Sequence, residues 1–155
     1  MSFNLSSPVT GGAQTGFTSP TYTLTADSAP NGFGRQWAVT ALGGTQAGVD
    51  VHSVSKPFTI TSFRPAQLRA LPVPNNVTGV IKNIPYNTWK LLVRKGALPA
   101  ANNNPVINRI IVQSEVYAGT DTYESANVRA MVSLAVGALS QQSAGIGDMY
   151  VTGIH

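Results

Sequence analysis

The 155-residue chain contains no cysteine and only two histidines, His52 and His155. Disulfide staples, thiolate nucleophiles and cysteine-based metal sites are therefore excluded. "DVHS" brings Asp50, His52 and Ser53 together, but no glycine elbow surrounds the serine, so a hydrolase triad is not expected. "GGTQAG" lacks the Lys-Ser/Thr of a phosphate loop. The carboxylates are few and scattered. No catalytic residue, metal or cofactor is expected, and the chain does not read as an enzyme. No apolar run approaches the roughly 20 residues of a membrane span. The start, "MSFNLSSPVT", has no basic segment followed by an apolar one, so no signal peptide is expected.

Charge is scarce too. Charged residues make up 10% of the chain, against roughly 25% in ordinary domains. A chain with so few charges either has a polar, uncharged surface or covers much of its surface with other chains. What charge there is lies unevenly. Residues 51 to 114 hold eight of the ten Lys and Arg, namely Lys56, Arg64, Arg69, Lys82, Lys90, Arg94, Lys95 and Arg109, and no Asp or Glu. Like charges gathered in one folded segment repel, unless a polyanion neutralises them. The other reading is a solvated strand edge guarded by cations.

Alternation dominates the first three quarters. "TYTLTAD" (21–27), "RQWAVTAL" (35–42), "VDVHSV" (49–54), "FTITSF" (58–63), "VTGVIKNI" (77–84), "YNTWKLLVRK" (86–95) and "INRIIVQSEVY" (107–117) each read as a strand of period two. "APNGFG" (29–34) is a strong turn signal. In "YNTWKLLVRKG" one face carries Trp89, Leu91 and Val93, and the other Thr88, Lys90, Leu92 and Arg94. "ALPAANNNPV" (97–106) is a long loop whose ends are restricted by Pro99 and Pro105, while Asn102, Asn103 and Asn104 tolerate left-handed backbone.

From residue 121 the period becomes helical. Val128, Val132, Ala135 and Leu139 form an apolar stripe widened by Met131 and Leu134. Ala126, Ala130, Ser133 and Gly137 form a second stripe of small residues suited to close packing. Asp121 with Glu124 resembles a capping box, and Gly145 suits the helix end. Antiparallel strands followed by one or two helices make an α+β fold. One helix about 25 Å long covers only part of such a sheet, so the sheet curls or a second subunit supplies the missing cover.

"FTITSF", "YNTWKLLVRKG" and "INRIIVQSEVYAGTDTYESANVRAMVSLAVGAL" together resemble the coat proteins of single-stranded RNA bacteriophages, the levivirus type. The likeness lies in order and spacing over the C-terminal two thirds; residues 1 to 55 match only as a possible hairpin. The resemblance implies a single domain over 1–155: an N-terminal arm and hairpin region (1–55), a five-stranded antiparallel sheet (56–120) and two C-terminal helices (121–155). It implies an intertwined homodimer with a ten-stranded sheet. There, the partner's Val128, Val132, Ala135 and Leu139 largely cover Trp89, Leu91 and Val93, and Ala126 and Ala130 serve the close helix packing. Further copies then build an icosahedral capsid in the bacterial host cytoplasm, packaging single-stranded RNA in a virion. Pro99, Asn102, Asn103, Asn104 and Pro105 fall in the inter-dimer loop. The family also represses replicase translation by binding an RNA hairpin. Its pattern places Thr59, Thr61, Thr88, Lys90 and Arg109 on the RNA face, and charge adds Lys82 and Arg94. At the family's tyrosine position stands Ile107, which cannot stack on a base. The alternative is a dimeric cellular RNA-binding β-protein that does not assemble.

Overall fold

The computed structural model describes residues 3–155. Its strands are β1 (Val9–Thr10), β2 (Thr18–Asp27), β3 (Gly34–Thr45), β4 (Phe58–Phe63), β5 (Tyr86–Ala97) and β6 (Val106–Tyr117). They form one sheet in chain order, every neighbouring pair antiparallel. Three helices follow: α1 (Thr120–Tyr123), α2 (Ser125–Gln141) and α3 (Ser143–Thr152).

The α+β class and the antiparallel sheet agree with the sequence reading, but the count differs. The sheet has six strands, and residues 1–55, expected as an arm and hairpin region, supply three of them. There is accordingly no separate five-stranded sheet. Bulges between Thr18 and Thr21 and between Thr23 and Leu24 interrupt the β2–β3 register, which increases local twist.

Two expected strands do not form. In 49–54, Gly48 turns the chain at φ 80. His52 then donates its N–H to Val39 O at 2.8 Å and accepts the Phe58 N–H on Nδ1 at 3.0 Å. The Ser53–Lys56 turn closes through Ser53 N–H to Lys56 O at 3.2 Å. Backbone groups already satisfied this way are unavailable to a ladder. In 77–84, Asn75 Oδ1 accepts the N–H groups of Val77 and Thr78 at 2.8 and 3.0 Å. Gly79 and Asn83 then take positive φ values of 68 and 55. A side chain that offers the backbone a local partner wins over β-branched propensity here.

The helical region is broken, not continuous from 121 to 145. Glu124 (φ −124, ψ 49) and Gln142 (φ −101, ψ 19) both leave helical geometry. The capping box does not close: Asp121 Oδ1 accepts Gly119 N–H at 3.1 Å, and Glu124 bonds the Asn127 amide at 2.7 Å. Gly145 lies inside α3, which ends instead at Gly153, left-handed at φ 73. Gln14 and Thr15, in the loop between β1 and β2, tie down α3. Gln14 Nε2 donates to Ser143 O at 2.7 Å, and Thr15 Oγ1 bonds Asp148 at 2.8 Å.

The buried apolar core is small: Trp37, Ala38, Val39 and Ala118. At the end of β5 the chain passes close to Gly96, where an added Cβ would stand 2.6 Å from Lys56 Cα. No residue of α2 or α3 is buried. Trp89, Leu91 and Val93 are not fully covered, and Ile110 and Val132 are 51% and 48% exposed.

Candidate nucleic-acid interface

Side chains alternate across a strand, so the register decides which residues share a face. Thr59 pairs Arg94, and Arg94 pairs Arg109. Two residues along, Thr61 pairs Leu92 and Leu92 pairs Ile111; then Phe63 pairs Lys90 and Lys90 pairs Gln113. Thr88 pairs Glu115 and Tyr86 pairs Tyr117. All of these lie on one face. Ile60, Val93 and Ile110 lie on the other, with Leu91, Val112 and Trp89. Thr59, Thr61, Thr88, Lys90, Arg94 and Arg109 thus share a surface opposite Trp89 and Leu91. Lys95, one residue off, points to the apolar side. There its Nζ sits 4.7 Å from the Phe58 ring centroid and donates to Asp50 O at 2.6 Å. Burial pulls its pKa down.

The ladder does not place Lys82 on this face: its expected strand is a turned connection, and the residue is exposed there. Thr59 and Thr61 share the face but have almost no surface, at 1% and 0% exposed. Their hydroxyls are engaged within the chain. Thr61 Oγ1 donates to Gln36 Oε1 at 2.8 Å. Arg94 Nε donates to Thr59 Oγ1 at 3.0 Å, and Arg94 Nη2 to Gln36 Oε1 at 2.9 Å. Gln36 in turn donates from Nε2 to Asp27 Oδ2 at 2.6 Å. The two threonines therefore hold a guanidinium in place and offer no hydroxyl to a ligand.

Gln36 and Asp27 escaped the sequence reading. Parity within "RQWAVTAL" puts Gln36 opposite Trp37, but its meeting with Thr61 depends on β3–β4 register, which no local pattern encodes.

The Arg94–Arg109 pair is unusual. Like charges directly opposite across strands are destabilising. Among the described residues the one salt bridge is Lys56–Asp50 at 2.7 Å, so neither arginine has a carboxylate partner. Two acids share this face: Glu115 accepts from Gln113 Nε2 at 2.9 Å, and Asp27, opposite Gln36, accepts from that amide and feels the Arg94 charge without an ion pair. The centre of the face is thus cationic without a direct ion pair, with exposed Arg109 beside half-buried Arg94 and Lys90.

No family model matches the chain, nor does any curated protein sequence. Among solved structures, the chain is similar to the virus-like particle of bacteriophage ESE020. The two are 58% identical, superpose with a TM-score of 0.96, and the match covers 99% of this chain and 100% of that one. The chain belongs to the bacteriophage coat-protein family.

The Gln36 bond, followed by the Ser28 N–H, lowers the Asp27 pKa below its ordinary 3.8. The folded state therefore binds this proton less readily than the unfolded chain. Its stabilisation is complete above the ordinary value and is lost as pH falls through the lower folded value. Thermal unfolding of Asp27→Asn should be less sensitive to acid below pH 3.8 than wild type. Identical losses in the two proteins would show that the Asp27–Gln36 bond contributes nothing.

Proposed function

We propose that this chain is the shell subunit of a single-stranded RNA phage of the levivirus type, which dimerises, assembles into an icosahedral capsid and packages RNA. The observation that carries this is the uncovered apolar surface: β6 is a twelve-residue edge strand with Ile107, Ile110, Ile111 and Val112 at least 40% exposed, and α2 buries nothing. Long apolar edges invite pairing with another chain. Pairing of β6 with the partner's β6 would join two six-stranded sheets into one of twelve strands, not ten. α2 of each chain would then cover part of the apolar face around Trp89, Leu91 and Val93, with Val128, Val132 and Leu139 as contact residues. Each large side chain so covered contributes roughly 1.5–3 kcal/mol.

The β5–β6 loop is the proposed contact between dimers. Asn102 is left-handed there at φ 62, and 101–104 are exposed. A loop of this kind can change shape where identical chains occupy unequal positions.

The opposite face, with Thr88, Lys90, Arg94 and Arg109, is proposed to face the genome. Binding would be chiefly to phosphates. Ile107 shares that face without a ring to stack, which favours general packaging over repression through one replicase hairpin.

Gly137 tests the assembly. No heavy atom lies within 4 Å of where its Cβ would be, so Gly137→Leu should not disturb its own chain. If another copy packs on the small-residue stripe, that variant will keep its helical circular dichroism while particle yield in electron microscopy falls several-fold. Wild-type particle yield would contradict close packing at this stripe. For RNA, Lys90→Ala should reduce the log–log slope of affinity against salt by about 0.7, the value for one phosphate contact on a single strand. An unchanged slope would remove Lys90 from the interface.

A further inference from the structure

β4 stops at Phe63, opposite Lys90, while β5 runs on to Tyr86. Residues 86–89 therefore have no strand on their β4 side. The long connection 64–85 passes there instead, pinned by one side chain. Asn87, 6% exposed, accepts Arg69 N–H on Oδ1 at 2.8 Å and donates from Nδ2 to Arg69 O at 3.1 Å. This holds the Arg69 backbone beside β5 and leaves its guanidinium at the surface. The shortfall of β4 opens a cleft of about 630 Å3 lined by Phe33, Gln67, Arg69, Tyr86 and Thr88 among others.

Two of its walls are exposed rings: Tyr86 is 39% and Phe33 42% exposed. Tyr86 also meets Tyr117 edge to face at 5.6 Å, and Arg64 sits 5.8 Å from the Phe33 ring centroid. Tyr86 and Thr88 lie on the same face as Lys90, Arg94 and Arg109. Connection 64–85 carries Arg64, Arg69 and Lys82 and no acid.

We propose that this cleft receives one unpaired base of single-stranded RNA, stacked on Tyr86, with the Arg69 guanidinium on an adjacent phosphate. The inference rests on the genome-facing reading of this surface. Phosphate neutralisation alone requires cations and gives no reason to expose two rings beside them. Bases present π-faces whatever their identity, so stacking on an aromatic wall adds affinity without demanding a sequence. A protein partner also fits exposed rings, but the surrounding cations without a carboxylate among the cleft walls match a polyanion better.

The test uses the full-length chain and an oligouridylate of about 12 nucleotides, a length within the usual single-strand site sizes, beside an abasic ribose-phosphate strand of equal length. Tyr86→Ala should weaken oligouridylate binding about tenfold, the order of one lost stack, with the salt slope unchanged. Tyr86→Phe should bind as wild type, and the abasic strand should not distinguish the three proteins. Arg69→Ala should lower the slope by about 0.7 on both strands. Salt-dependent binding by wild type with no effect of Tyr86→Ala would overturn the cleft while leaving the RNA reading intact. Absence of salt-dependent RNA binding by wild type would overturn both. Equal losses of Tyr86→Ala on oligouridylate and abasic strands, or failed particles with normal RNA binding, would make Tyr86 a structural or subunit contact and overturn the proposal.

Discussion

β6 has a neighbour on one side only. Its twelve residues present a free row of backbone N–H and C=O groups, flanked by isoleucines and valines that, Val116 apart, are 40% exposed or more. Little blunts this edge: it has no proline, no lysine and no bulge, and Arg109 and Glu115 are its two charges, where charge, proline and bulges are the usual devices against strand addition. The helices that follow do not repair the exposure, because α2 buries no residue and α3 is tied to the β1–β2 loop. A buried core of four apolar residues is slender for a chain of this length. In the proposed shell subunit, the same surface that leaves the lone chain under-packed supplies the driving force for association.

The sheet's two faces are kept distinct by register. A one-residue slip of β5 would send Lys90 and Arg94 to the apolar side and Trp89 and Val93 to the polar one. The chain of bonds from Asp27 through Gln36 to Thr61 and Arg94, and from Arg94 to Thr59, crosses β2, β3, β4 and β5. Such a polar network, buried at Gln36, Thr59 and Thr61 and satisfied at each link, fixes one alignment against alternatives. It also holds Arg94 opposite Arg109, a repulsive arrangement that an anion on this face would relieve.

Much of this was readable from residue order. The alternation of "FTITSF" and "YNTWKLLVRKG" marked the strands and their faces, because polar and apolar side chains there follow a clear period of two. The stretches 49–54 and 77–84 alternate equally well and are not strands, since His52 and Asn75 capture backbone groups locally. The helix stripe was visible, but the breaks at Glu124 and Gln142 carry no proline or glycine to announce them. At the site, the resemblance to phage coat proteins put Thr59 and Thr61 on one face with Lys90 and Arg109, and the strand register sets them there. The resemblance could not reveal that their hydroxyls are consumed by Gln36 and Arg94, which is a matter of register between separate strands. The Tyr86 cleft was invisible for the same reason: it arises from the difference in length between β4 and β5.

Amide hydrogen exchange along β6 in the assembled protein tests the central claim most directly. In an antiparallel edge strand, alternate N–H groups point away from β5 and bond only to water. If a second copy closes this edge, as proposed, N–H groups on both sides of the strand, away from its frayed ends, will be protected. Fast exchange at every second residue of Val106–Tyr117 in intact particles would show the edge open and contradict the account.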